Sequence, residues 1–355
     1  MAQKQGGRVV FADLLRVFAL LAAMILYLIG DQLNRVGAGT ASWTVLSLYD
    51  GLLRWCVPVF AMLSGMMMLD EKAGRSLPKL FFHNALRVLI ALLVWAGIYA
   101  AAGTLAAGGR FTWAGLWADI LSALRGNSHD HLWFLYIILG LYLVTPVLRS
   151  FVRGASRSDF RYFFVLAFLF ASLLPMSFRL WPGTAVLQVW YDRLAVQLVL
   201  GYVGYYVAGY YLREYTISRV AEAVVYVLGV LGAAATVWGT SVLSRQAGRM
   251  VDTLYDPFSP NIVCFSVAVV VLFRYVLGVS DERSRRQRLS GVARISFGMY
   301  LVHPLFLMLL DRFGITVLSF PPAAAVPLLA AAVFLCSFAS AWLISKIPFI
   351  GWWLT

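Results

Sequence analysis

The chain is a succession of long apolar runs cut by short polar segments. Ten runs of about 20 residues are long enough to cross a bilayer as helices. They fall at 11–30, 51–69, 84–105, 131–149, 162–178, 194–212, 220–243, 259–279, 292–311 and 324–345. A helix is the expected form because a lipid-embedded backbone must satisfy its own hydrogen bonds. The pattern predicts an all-α, polytopic integral membrane protein with about ten transmembrane helices, forming one domain over 1–355. Pro175 and Pro182 crowd the end of the fifth run. The first run has no small-residue cleavage site after a short apolar core, so it reads as a retained helix. No repeat, low-complexity tract or inverted pair of broken helices of the transporter kind is visible. The longest segment between runs, 106–130, leaves no room for a separate soluble domain.

Composition agrees. Of 355 residues, 61% are hydrophobic and 13% charged, against about a quarter charged in ordinary soluble domains. The net charge of +13 has no nucleic-acid motif beside it and fits the positive-inside rule of bacterial membrane proteins. With the N-terminus cytoplasmic, twenty of the 29 lysines and arginines fall on the inner side. Both termini are then expected in the cytoplasm, and the location is a bacterial inner membrane. The cluster Arg283, Arg285, Arg286 and Arg288 reads as an orientation-setting charge run. Cys56, Cys264 and Cys336 all lie in apolar runs without CxxC spacing, and are expected as small buried residues.

Ionisable residues inside spans are costly and mark candidate sites. Asp13 and Arg16 share a face of the first helix. Tyr27 lies eleven residues beyond Arg16, which returns it to within about 20° of the same face, about 16 Å along the axis. Asp31 follows one turn later, at the outer surface. Arg87 opens the third span at the inner side. Arg16 and Arg87 would suit phosphate oxygens, which guanidinium groups bind bidentately, or each is a positive-inside charge. His129 and His131 flank Asp130 at the outer end of the fourth span. Two histidines do not complete a metal shell, so no metal is expected. A base or a hydrogen-bond donor to substrate is the alternative. His303, followed by Pro304, sits near mid-membrane, where a histidine needs a partner.

Four segments, in order along the chain, resemble the membrane-bound acyltransferase 3 family. FADLLRVFALLAAMILYLIG (11–30) is similar to the family's first helix. RWCVPVFAMLSGMMML (54–69) resembles its VPxFFxxSG segment, with Pro58, Ser64 and Gly65 in place. HLWFLYIILGLYLVTPVLR (131–149), with Trp133, is close to the branch containing the O-acetyltransferase of enterobacterial common antigen. ISFGMYLVHPLF (295–306) resembles its SxxxYLxHP helix. The resemblance covers essentially the whole chain. It implies transfer of an acyl group, usually acetyl, from cytoplasmic acyl-CoA to a hydroxyl of an extracytoplasmic or lipid-linked glycan, or of another envelope acceptor. Acetyl-CoA is then a substrate, with no permanently bound cofactor. The resemblance implies catalytic roles for Arg16 and the position of Tyr27, with His131 and His303 as further candidates. Arg16 and Arg87 are expected on the donor, and Asp31, Ser64, His129 and Trp133 on the acceptor.

Two positions depart from the family. Tyr27 stands where the family has its histidine, and Asn84 replaces the first arginine of the RxxR pair ending at Arg87. A phenol, with pKa about 10, is a poor base at neutral pH. Three explanations compete: a variant using another base, a member that binds without transfer, or a deliberate replacement of the histidine. A transporter or flippase of an envelope intermediate is the rival of another class.

Overall fold

The computed structural model of the chain describes residues 10–70, 76–106, 108, 112–125, 130–194, 201–278 and 288–355. Among these residues there is helix and no strand. Among the described residues nine segments are long and apolar enough to cross a membrane. They match nine of the ten expected runs. The remaining run, 194–212, contains a helix at Val203–Glu214, and residues 195–200 are outside the described set.

Two boundaries moved in an informative way. The second span covers Ala41–Met68, not 51–69. Thr40 caps it by accepting the Trp43 N–H at 3.2 Å. Its polar start hides it from a hydropathy reading. The segment 106–130 contains a helix, Trp113–Leu124, which packs on Leu86–Ala106. A Cβ on Gly97 would lie 3.0 Å from Leu116.

In chain order the first helices are α1 (Val10–Ile29), α2 (Gln32–Arg35), α3 (Ala41–Leu53), α4 (Cys56–Met68) and α5 (Leu77–Lys79). Then come α6 (Leu86–Ala106), α7 (Trp113–Leu124), α8 (Trp133–Gly154), α9 (Arg157–Phe168), α10 (Leu174–Leu180) and α11 (Ala185–Leu194). They are followed by α12 (Val203–Glu214), α13 (Arg219–Ala234), α14 (Thr240–Ala247) and α15 (Pro260–Leu272). The last are α16 (Arg288–Arg312), α17 (Pro322–Ser345) and α18 (Gly351–Leu354). The break between α3 and α4 at Arg54–Trp55 has a cause in Pro58: its ring excludes the carbonyl four residues back, at Arg54. π-Helical turns interrupt four other spans, at Leu80–Ala85, Leu169–Leu173, Ala235–Gly239 and Phe273–Leu277.

The chain forms two compact units, 1–73 with 147–287, and 74–146 with 288–355. In the first, α4 and α12 approach at two glycines. A Cβ on Gly65 would meet the Tyr206 carbonyl oxygen at 1.8 Å, and one on Gly209 the Met62 carbonyl oxygen at 1.9 Å. Lipid-embedded helices gain no hydrophobic drive from each other, so close backbone packing at small residues holds them. Gly229 and Gly232 do the same for α13 against Ala268 and Asn261 on α15. Gly209→Val is therefore expected to cost about 3 kcal/mol or more, read as a lowered unfolding temperature in detergent. Gly140→Ala, where an added Cβ meets nothing within 4 Å, is the control and should change little. Equal behaviour of the two variants would contradict this packing.

In the second unit α16 packs against α17, and α18 folds back beside both. Apolar side chains such as Leu143, Val230, Leu328 and Leu335 face outward, as a bilayer requires. Cys336 is exposed on α17, contrary to the expected burial, while Cys56 is buried. The reason is that α17 is apolar on all sides, so its composition does not tell the lipid face from the packed one.

Candidate functional site

In the first unit a cationic cluster gathers at the C-terminal end of α4. The Arg16 guanidinium on α1 donates to Met67 Sδ. Arg149, 5% exposed on α8, donates through Nε and a terminal nitrogen to the Met68 carbonyl at 2.9 and 2.7 Å. Arg213 on α12 donates to the Met66 carbonyl and pairs with Asp70 at 2.9 Å. The last carbonyls of a helix have no intrahelical partner and carry its negative pole, so three arginines fit there electrostatically. Arg149 is thus a buried cap on α4. An arginine at a span's end looks the same in sequence whether it turns to water or to a neighbouring helix.

Toward the other end of α1 the same unit holds a buried ion pair. Asp50, 4% exposed, meets Arg54 at 2.6 Å, and the Arg54 guanidinium lies 4.4 Å from the centre of the Tyr255 ring. Tyr255 donates to the Ser47 carbonyl at 3.0 Å. Sequence reading missed this cluster because it placed Asp50 in a loop. The available signal was an acid and a base four residues apart within apolar surroundings. Tyr27 is half-buried on α1, and Tyr202 lies within electrostatic reach of Tyr27, Cys56 and Asp256. Ser64 on α4 has a buried hydroxyl without a hydrogen-bond partner. Asp31 is exposed in the turn before α2.

In the second unit, Arg87 opens α6. Its guanidinium lies 5.2 and 5.1 Å from the ring centres of Phe297 and Trp352 and donates to the Thr355 carbonyl. Its Nε is buried without a hydrogen-bond partner. The two aromatic contacts hold the charge in place while leaving a donor edge.

The same unit brings His131 and His303 together. They are 172 positions apart in sequence, both fully buried, with ring centres 5.8 Å apart. Proline explains the tautomer of His303. Pro304 has no N–H, so it cannot bond the Tyr300 carbonyl four residues back. That carbonyl instead sits 2.7 Å from His303 Nδ1. A carbonyl only accepts, so Nδ1 carries the proton and Nε2 of the neutral ring carries the lone pair. Tyr300 also donates its hydroxyl to the His131 carbonyl at 2.5 Å, tying both histidines to one residue. Tyr99 packs edge-on at 4.7 Å from His131 and donates to the Leu301 carbonyl at 2.6 Å. Trp133 begins α8, 38% exposed. His129 lies outside the described residues.

The buried histidines of one unit and the guanidinium cluster of the other are polar groups of the kind that mark candidate sites inside a membrane. The chain matches the acyltransferase domain over residues 9–346, nearly its whole length, and belongs to the acyltransferase 3 family. No curated protein and no solved structure matches it.

Proposed function

We propose that the protein is a multi-pass O-acyltransferase of a bacterial inner membrane. It moves an acyl group, acetyl in the first instance, from cytoplasmic acyl-CoA to a hydroxyl of an extracytoplasmic or lipid-linked glycan. The glycan resemblance follows the enterobacterial common antigen branch. The observation that carries the reading is the His303–Pro304 arrangement in a chain of this family: a neutral imidazole, buried, with its basic nitrogen set by the backbone.

The assigned roles follow from chemistry. Arg16 is assigned to the donor phosphates as a bidentate cation, with Arg87 as the alternative cation for that role. His303 Nε2 accepts the proton of the acceptor hydroxyl as its oxygen attacks the thioester carbonyl. The new C–O bond forms, the C–S bond breaks, and the departing sulfur takes the proton back. His131 orients this group, and Trp133 of the same unit lines the acceptor's approach. Tyr27 contributes a hydrogen-bonding hydroxyl in place of a base.

The test is acetyl incorporation into envelope glycans, followed by mass spectrometry, in membranes with and without the protein. Transfer dependent on the protein and on acetyl-CoA is expected, and unchanged acetylation would sink the enzyme reading for that glycan. Tyr27→His adds a second imidazole on the Arg16 face and is expected to raise turnover by about tenfold or more. Robust wild-type activity without a gain means that the base lies elsewhere.

Tyr27 also favours a second reading, a member that binds acyl-CoA without turnover. In that case purified protein binds acetyl-CoA but neither transfers nor hydrolyses its acetyl group. A flippase of an envelope intermediate also leaves acetyl-CoA intact, and does not bind it.

A further inference from the structure

Two adjoining cavities in the first unit form a slot with an apolar shaft and a polar head. The shaft, about 340 Å³, lies among α9, α12, α13 and α15 and is almost wholly apolar. Its lining runs along α12 from Gly204 to Leu212, about 12 Å at 1.5 Å per residue. The head, about 210 Å³, is lined by Arg179, Tyr191, Asp256 and Ser259. Ala171, Ser172, Gly201 and Phe258 line both, so the two adjoin. The head lies near Asp256, within electrostatic reach of Tyr202, as is Tyr27.

Three features fix the chemistry of an occupant. First, Arg179 and Asp256 form a 2.6 Å ion pair, so the head is polar but its charge is balanced. A phosphate would meet the Asp256 carboxylate as well as the cation. A neutral polyhydroxyl group can donate to one and accept from the other. Tyr191 adds an aromatic ring to the same lining, a surface suited to the C–H face of a sugar. Second, Ser172 stands where the shaft meets the head, 3% exposed, and its hydroxyl has no hydrogen-bond partner. A buried hydroxyl without a partner is costly, and the linking oxygen of an amphiphile would satisfy it. Third, Ser172 belongs to the π-helical turn Leu169–Leu173. Such turns occur often at functional sites.

We infer that this slot binds a lipid with an uncharged sugar headgroup. Its tail lies in the shaft, its linking oxygen at Ser172 and its sugar between Arg179, Asp256 and Tyr191. The slot lies wholly within the first unit, and the inference goes beyond the acyl-transfer reading. Binding itself requires no acyl donor.

The experiment uses the full chain in phosphatidylcholine nanodiscs. These are doped with equal minor amounts of glucosyl-diacylglycerol and phosphatidylglycerol, and the retained lipid is counted by native mass spectrometry. The sugar lipid is expected to be enriched about tenfold over both phospholipids, the worth of one charge-assisted hydrogen bond. Ala208→Phe and Ala221→Phe fill the shaft from two different helices, and each should reduce retention to background. Arg179→Gln with Asp256→Asn should abolish the enrichment while leaving tail-held lipid. Equal retention of all three lipids means a bilayer lipid only and overturns the inference. Enrichment of phosphatidylglycerol, or enrichment indifferent to both filling variants, overturns it too. Arg16→Ala should keep the glycolipid while losing transfer, so failure of this site and failure of the transferase reading are separable.

Discussion

Replacing Arg16 by alanine is expected to abolish measurable acyl transfer, a fall of about 10²- to 10⁴-fold. Two charge-assisted hydrogen bonds to a donor phosphate are lost together, each worth about 1.5–3 kcal/mol. The fold should survive, because the end of α4 keeps Arg149 on the Met68 carbonyl and Arg213 on the Met66 carbonyl. An unchanged unfolding temperature checks that point. Arg16→Lys separates charge from geometry: it retains a cation but not the fork, and should regain part of the donor affinity. If Arg16→Ala transfers acetyl at the wild-type rate at low acetyl-CoA concentration, Arg16 does not bind the donor.

The second large effect concerns His303. His303→Ala should lower turnover by about 10²- to 10⁴-fold, the usual contribution of a general base, with little change in acetyl-CoA affinity. His303→Gln retains a polar side chain but no basic nitrogen, and should be as inactive. Pro304→Ala is the more discriminating variant. It restores a backbone N–H to the Tyr300 carbonyl, which now meets His303 Nδ1 at 2.7 Å. The ring then loses the bond that sets its tautomer, and the pH profile of turnover should shift while the fold persists. An unaltered profile in Pro304→Ala together with full activity in His303→Ala would remove His303 from the chemistry.

Much of this architecture was legible in the residues. Long apolar runs locate spans because the bilayer permits almost no other solution. The failures have physical causes. Residues 41–50 carry Ser, Thr and Asp, so hydropathy assigned them to a loop, although their polar groups turn inward to Tyr255 and Arg54. The cap that Arg149 forms on α4 has no sequence signal, because end-of-span position does not reveal which neighbour a side chain meets. His131 and His303 were each visible alone, but their meeting depends on the turn Asp130–Leu132 packing against α16 in one unit. The role of Pro304 follows from local geometry and could have been derived from the Tyr-x-x-His-Pro spacing itself. The slot beside Ser172 had no sequence signal, since small apolar residues look the same whether they fill a core or line a cavity.

The arginine caps on α4 also constrain how the protein is made. When α4 enters the membrane, the residues that satisfy its last carbonyls do not yet exist. Arg149 follows Met68 by 81 positions, and Arg213 follows Met66 by 147. Translation at about 5–20 residues per second places the second cap roughly 7 to 30 seconds later. Gly209, which α4 needs for its closest helix contact, arrives in the same interval. During synthesis α4 must therefore keep its polar end at the water interface or against the insertion machinery. The first unit closes only after α12 is inserted, so its assembly is a late step of biogenesis, however early its first helices enter the bilayer.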